Sequence, residues 1–135
     1  MDTALASSPS LTAHHARAHV WTGRVLTGLI AAFLLVDAIG KLIPLPMYVE
    51  GTEKVGFAVA IIRPLGAVLA LSTLLHLVPR TQLVGAALVT AYLGGAVATH
   101  VRTGTPFWFP VVMGVLLWAA YYLRSPQLRG LLSRS

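Results

Sequence analysis

Few residues of this 135-residue chain could do chemistry, and five of them occur within two apolar segments or directly after one. Asp37 and Lys41 are four positions apart, which places them on one face of a helix. Tyr92 and His100 likewise share a face of a later helix, and Arg102 follows two positions after His100. We expect Asp37 and Lys41 to form a structural ion pair, to transfer protons or to anchor a polar head group.

His100 and Arg102 carry alternatives of the same kind. His100 would serve as a proton relay, a ligand contact or a histidine at a helix end, and Arg102 would hold an anionic group or anchor its helix. Glu50 and Glu53 are secondary candidates in the connection that follows the first apolar segment. Pro46 is well placed to start a short helix there, either a lid over the polar residues or a linker on the surface.

The composition indicates which kind of protein must position these residues. Hydrophobic residues make up 56% of the chain and charged residues 10%, whereas an average soluble domain is about 25% charged. So few charges cannot cover the surface of a soluble globule, although ten Lys and Arg against four Asp and Glu leave a net charge of +6. Cys is absent, which excludes disulfides, thiolate metal sites and Cys nucleophiles.

Four apolar segments approach or reach the length of about 20 residues that a helix needs to cross a bilayer. They cover residues 22–42, 58–78, 82–101 and 106–123. Short connections join the later segments, so consecutive helices run antiparallel. The sequence therefore predicts an all-α fold, an integral membrane four-helix up-down bundle, with a disordered cytoplasmic tail over residues 1–21 and a basic cytoplasmic tail over residues 124–135.

The positive charges favour one orientation of this bundle. Six arginines fall on the side of the two termini, and four basic residues fall on the other side together with Glu50 and Glu53. Because Lys and Arg accumulate on the cytoplasmic side, we expect both termini in the cytoplasm, in a bacterial cytoplasmic membrane. The lipid bilayer is then the first partner, and the division of basic residues between two faces argues against nucleic-acid binding.

The third apolar segment is rich in small residues at four-residue spacing. Helices in lipid associate through close contacts between small residues, so we predict that this helix packs at the centre of the bundle. The packing residues that we expect are Ala91, Gly94, Gly95 and Ala98. The alternative is a seam between two copies of the chain, which would make the protein a homo-oligomer.

Several classes of site have no signature in the sequence. It contains no Gly-rich phosphate loop, no pair of His at metal spacing within a helix and no Ser nucleophile motif. His76 and His100 fall toward opposite faces of the membrane, so a single haem would not bridge them. We therefore predict no metal or haem site. No complete catalytic set is present, which leaves enzymatic activity open.

Several stretches resemble one family of membrane proteins. They are Asp37-Ala38-Ile39-Gly40-Lys41-Leu42, Val78-Pro79-Arg80-Thr81 and the run from Ala91 to Arg102, continued by Pro106 to Pro110. Together they are similar to the DoxX-like family over about residues 24–130, most specifically in the third span. The resemblance implies a four-helix membrane bundle. Named relatives are associated with membrane oxidoreductase assemblies, including a thiosulfate:quinone oxidoreductase subunit, and more distant relatives assist membrane-protein assembly.

The chain departs from this family at Val68-Leu69-Ala70, where many members carry an acid midway along the second span. The resemblance implies an accessory subunit, or a quinone- or lipid-binding component, of a membrane redox system whose electrons come from a partner protein. The polar contacts to the ligand would be Asp37, Lys41, Tyr92, His100 and Arg102. The alternative is a structural or assembly factor without catalytic activity, in which helix packing matters more than the ionisable residues.

Overall fold

The computed structural model of the chain describes residues 9–134, in which every regular element is a helix. The helices are α1 (Pro9–Leu42), α2 (Pro46–Lys54), α3 (Ile62–Leu77), α4 (Gln82–Arg102), α5 (Trp108–Arg124) and α6 (Pro126–Leu132), with a 3-10 turn, Val59–Ile61, leading into α3. Three helical segments are long and apolar enough to cross a membrane, Ser10–Leu42, Val59–Leu77 and Gln82–Arg102. The fourth apolar helix, α5, has 17 residues, which is about 26 Å of helix.

The beginning of α1 corrects the prediction of a disordered tail up to residue 21. The helix begins at Pro9, and its residues from Ser10 to His19 are exposed. Proline is favourable in the first turn of a helix, and the alanines at positions 13, 16 and 18 are strong helix formers. α1 therefore continues beyond its apolar span as an exposed helix. Residues 1–8 of the predicted tail lie outside the described residues.

The predicted basic tail over residues 124–135 also contains a helix. Pro126 begins α6, and the Ser125 side chain caps it by accepting a hydrogen bond from the backbone N–H of Leu128 at 3.2 Å. Such a cap satisfies one of the N–H groups that the first turn of a helix leaves without a partner. The helical part of the chain therefore extends to Leu132. Residue 135 lies outside the described residues.

Four helices form a closed ring of contacts, in which α1 and α4 each pack against both α3 and α5. The buried core at the centre of the ring draws on all four: Ile30, Leu34, Ala38, Leu69, Ala86, Val89, Leu93, Met113, Leu117, Ala120 and Tyr121. Many large apolar side chains on the outside remain exposed, among them Leu29, Leu71 and Val115. Such a surface is unusual for a soluble monomer and suits helices that contact lipid.

Glycines mark the places where these helices approach most closely. A Cβ atom on Gly85 of α4 would lie 2.1 Å from the backbone N and 2.4 Å from the Cα of His76 in α3. A Cβ atom on Gly23 of α1 would lie 2.6 Å from the backbone N of Arg124 in α5. Real Cβ atoms do not approach other heavy atoms so closely, so these contacts require glycine.

The four residues predicted to pack α4 inside the bundle do not do so, which corrects that prediction. Ala91, Gly94, Gly95 and Ala98 are all exposed, and a Cβ atom on either glycine would meet nothing within 4 Å. The buried face of α4 consists of Gly85, Ala86, Val89 and Leu93. Helix packing needs volume as well as small residues, and Val89 and Leu93 supply the volume that fills the centre of the ring.

Candidate functional site

A cavity of about 480 Å³ lies between α1, α3 and α4 and has α2 as a further wall. Its volume falls within the range of about 300–1,000 Å³ that is typical of small-molecule sites. The lining residues are Asp37, Lys41, Met47, Tyr48, Gly51, Thr52, Val55, Phe57, Leu65, Ala91, Tyr92, Gly95, Ala96, Thr99 and His100. Four of the five main candidates from the sequence, Asp37, Lys41, Tyr92 and His100, thus line one space, which we call the cavity end.

Asp37 and Lys41 form an ion pair within α1, in which the Lys41 ammonium donates to a carboxylate oxygen of Asp37. Both side chains are largely buried, with 25% of Asp37 and 16% of Lys41 exposed. The Lys41 Nζ atom also lies 5.6 Å from the centroid of the Tyr92 ring, within the range of a cation–π contact. One positive and one negative charge therefore face the cavity, and together they cancel.

His100 is oriented by the turn that ends α4. Gly104 adopts a positive φ of 67°, and the backbone N–H groups of Gly104 and Thr105 donate to the carbonyls of Val101 and His100 at 3.2 and 2.9 Å. This is the Schellman pattern, in which glycine supplies the left-handed residue after the helix. The turn brings the Thr105 Oγ1 atom to 2.7 Å from His100 Nδ1.

The hydrogen bond to Thr105 occupies one nitrogen of the His100 ring and leaves the other, Nε2, without a hydrogen-bond partner in residues 9–134. A neutral imidazole has one donor and one acceptor nitrogen. Because His100 is a lining residue, its free nitrogen is available to donate or accept a hydrogen bond with a molecule in the cavity. Thr105 was not among the residues predicted for the site, although the run Thr103-Gly104-Thr105-Pro106 is a recognisable helix-stop signal that predicts its return toward His100.

α2 is held against α1 by an aromatic side chain. A Cβ atom on Gly40 of α1 would collide with the ring of Tyr48, which lies directly over the α1 backbone at this position. The Thr52 Oγ1 atom donates to the Tyr48 carbonyl at 2.7 Å. α2 begins at Pro46, as the sequence suggested, and contributes four residues to the cavity wall.

Three candidates from the sequence do not line the cavity. Arg102 is exposed, because a residue two positions after His100 points to a different side of the helix. Its guanidinium lies beside the loop at Gly56, with Nη2 3.7 Å from the position that a Cβ atom would take there. Glu50 and Glu53 are exposed on α2, and the wall of the cavity is formed by other residues of that helix.

A groove of small residues forms the α4 side of the cavity. Ala91, Gly95 and Thr99 follow one another at intervals of four positions and all line it. The sequence had suggested two of them as helix-packing residues, and their spacing is the signal that reveals the groove. Small side chains leave space here because no neighbouring helix in the described chain fills it.

A second group of polar residues lies at the opposite end of the ring, and we call it the packed end. His76 of α3 is 2% exposed, and its Nδ1 atom donates to the Gln82 carbonyl at 2.9 Å. Its Nε2 atom accepts from Arg124 Nη2 at 3.3 Å, since a guanidinium can only donate. Tyr121 packs against both, with ring centroids 5.7 Å from His76 and the Arg124 Cζ 5.4 Å from its ring.

The packed end offers no space for a ligand. The void beside His76, which Thr27, Thr73 and Val89 help to line, is too small to hold a water molecule. The hydroxyls of Thr27 and Thr73 donate to backbone carbonyls of their own helices at 2.8 Å. The polar groups of this end thus have partners within the protein, with the exception of Arg124 Nε, which is buried without a hydrogen-bond partner among the described residues.

Helices that can cross a membrane and an apolar outer surface define an integral membrane protein. The chain matches the DoxX-like family over residues 25–120 and belongs to it. No curated protein and no solved structure matches the chain significantly. Midway along α3, where the sequence lacks the acid of many members, Leu69 is completely buried in the core.

Proposed function

We propose that this DoxX-like protein binds a quinone or a lipid-like molecule in its cavity and acts as an accessory component of a membrane redox system. The observation that carries the proposal is the 480 Å³ cavity, which combines Asp37, Lys41, Tyr92 and His100 with apolar walls. Ligand sites of this kind pair a mostly apolar surface with a few polar groups that fix orientation. No redox-active group is suggested by the chain's own residues, so electrons would come from a partner protein.

The membrane arrangement that we propose is an up-and-down bundle of α1, α3, α4 and α5. Gly23 near the start of the α1 span contacts Arg124 at the end of α5. Phe33, further along α1, pairs with Phe109 at the start of α5 at a centroid distance of 5.3 Å. These contacts support antiparallel neighbours. The excess of arginine at the packed end supports termini on the cytoplasmic side, with the cavity at the outer end.

The proposal is tested by identifying what the protein carries from its own membrane. The full-length protein is purified in a mild detergent, and bound quinones and lipids are extracted and quantified by mass spectrometry. We expect a stoichiometric amphipathic ligand in the wild type and a clear loss of it in His100→Ala, since His100 offers its free nitrogen to the cavity. Arg102→Ala is the matched control, because Arg102 is a nearby cation outside the cavity lining.

Two results would contradict this proposal. One is a wild-type protein that carries no quinone or lipid above the background of the detergent micelle. The other is a His100→Ala protein whose ligand content equals that of the wild type and of Arg102→Ala.

An assembly factor that contacts another membrane protein is the second candidate. The observation that favours it is the exposed small-residue surface of α4 at Gly94 and Ala98, because small residues let helices in lipid approach closely. This function predicts that Gly94→Leu disrupts a complex that co-purifies with the wild type, with the ligand content of the cavity unchanged.

A further inference from the structure

The charges and hydrogen-bonding groups of the cavity restrict the molecule that it accepts, and this inference rests on the proposed function. We propose that the cavity takes a ligand with an uncharged head group that accepts hydrogen bonds, such as a carbonyl, attached to an apolar chain that lies along Ala91 and Gly95. Charged amphipaths of the same length are excluded by the same residues.

The charged residues of the cavity lining disfavour a charged head group. Asp37 and Lys41 are the two oppositely charged residues of the lining, and they are already paired with each other. An anionic head group would compete for the Lys41 ammonium and leave Asp37 without a partner in a largely buried place, which is unfavourable. A cationic head group would face Lys41 and compete with it for Asp37. An uncharged head group leaves the ion pair intact.

Lys41 can donate to a hydrogen-bond acceptor on the ligand. The hydroxyls of Thr52 and Thr99, which also line the cavity, cannot do so, because they donate to backbone carbonyls of their own helices, at 2.7 and 2.8 Å. The Lys41 ammonium has three N–H donors and no acceptor, and Asp37 occupies one of them. Lys41 thus has donors left for a ligand, at a position close to Tyr92. A carbonyl oxygen is a suitable partner for them.

The groove on α4 accounts for the apolar chain. Ala91 lies nine positions before His100, which corresponds to about 13 Å along the helix. A Cβ atom on Gly95, between them, would meet nothing within 4 Å. An apolar chain in this groove would lie along α4 and lead from the polar part of the lining toward the middle of the membrane. Its far end would then stay among apolar groups, where its burial is favourable.

The test compares three probes that share one alkyl chain and differ in the head group: decylbenzoquinone, decanoate and decylamine. Full-length protein is reconstituted in phosphatidylcholine nanodiscs, and bound probe is measured by native mass spectrometry at equal mole fraction of probe in the bilayer. We expect the uncharged quinone to bind at least about tenfold more tightly than either charged probe, because only the charged probes disturb the ion pair.

An Asp37→Asn variant sharpens this test by changing the charge of the lining. Without the carboxylate, Lys41 is an unpaired cation, so the affinity for decanoate should rise about tenfold. The readout is the ratio of the decanoate affinity to the quinone affinity, compared between this variant and the wild type. A wild-type protein that binds decanoate or decylamine as tightly as the quinone would overturn the inference and leave the proposed function standing.

Two adjacent glycines of α4 form a matched pair of sites that tests where the apolar chain of the ligand lies. Gly94 and Gly95 both have open space at the Cβ position, but only Gly95 lines the cavity. Gly95→Leu should therefore reduce quinone binding at least about tenfold by filling the groove, and Gly94→Leu should leave it unchanged. Equal effects of the two substitutions would overturn the proposal that the apolar chain of the ligand lies along Gly95. Failure of all three probes to bind the wild type would contradict the proposed function as well.

Discussion

The two ends of the helix ring carry nearly the same kinds of polar residue. Each has a histidine, a tyrosine and a cation: His100, Tyr92 and Lys41 at the cavity end, and His76, Tyr121 and Arg124 at the packed end. At the packed end both nitrogens of the histidine ring are bonded within the protein. At the cavity end one ring nitrogen is bonded to Thr105, and the histidine lines an open space.

The difference shows that residue type alone does not define a site in this protein. Space beside the polar side chains distinguishes the cavity end, whereas backbone contact at Gly85 and Gly23 removes the space from the packed end. The packed end also has no carboxylate among residues 9–134 to pair with Arg124, which uses the ring and carbonyl of His76 instead. We interpret the packed end as a structural clamp and the cavity end as the place where a ligand binds.

The largest effect that we expect is a difference in stability between substitutions at two glycines of α4, one closely packed and one beside open space. Gly85→Ala places a Cβ atom against the backbone of His76, so α3 and α4 must move apart, which should cost at least about 3 kcal/mol of folding free energy. Gly94→Ala adds a methyl group in open space and should leave stability unchanged or raise it by up to about 1 kcal/mol. Thermal unfolding in detergent measures both, and equal unfolding temperatures would refute the close approach at Gly85.

The next largest effect that we expect comes from substituting the two histidines, each of which should affect a different property. His76→Ala removes a buried side chain, leaves the Gln82 carbonyl without its partner and leaves the Arg124 guanidinium with only the backbone carbonyl of residue 76, so unfolding should be easier by about 2–4 kcal/mol. His100→Ala should change stability by less than about 1 kcal/mol and should reduce the ligand that co-purifies. Unfolding curves and ligand content are measured on the same preparations. A stability loss that is the same for both histidines would remove the distinction between the two ends.

Much of the fold could be predicted from the sequence, because membrane-crossing helices are recognised from length and hydropathy alone. The pairing of Asp37 with Lys41 follows from their spacing within one helix. The rotation of α4 could not be predicted in this way, since small residues occur on more than one of its faces. Only the buried volume of Val89 and Leu93 decides which face turns inward, and that depends on the neighbouring helices.

The remaining differences at the site have the same physical origin. Arg102 is close to His100 in sequence, but the helical rotation of two residues separates their side chains. The contact between His76 and Arg124 joins residues 48 positions apart, and no local pattern predicts it. Thr105 is the exception, because the helix-stop signal at Gly104 is local and contains the information that brings Thr105 back to His100.

The smallest effect that we expect concerns this contact between Thr105 and His100. Thr105→Val keeps the shape of the side chain but removes the hydroxyl that is bonded to His100 Nδ1. A hydrogen bond of this kind contributes about 1 kcal/mol, so the affinity of the cavity for decylbenzoquinone should fall about fivefold, with little change in thermal unfolding. Thr105→Ser retains the hydroxyl and should restore the affinity. If Thr105→Val and Thr105→Ser bind alike, the orientation of the His100 ring does not depend on this hydrogen bond, and the cavity end would then owe its ligand binding to Lys41 and to space alone.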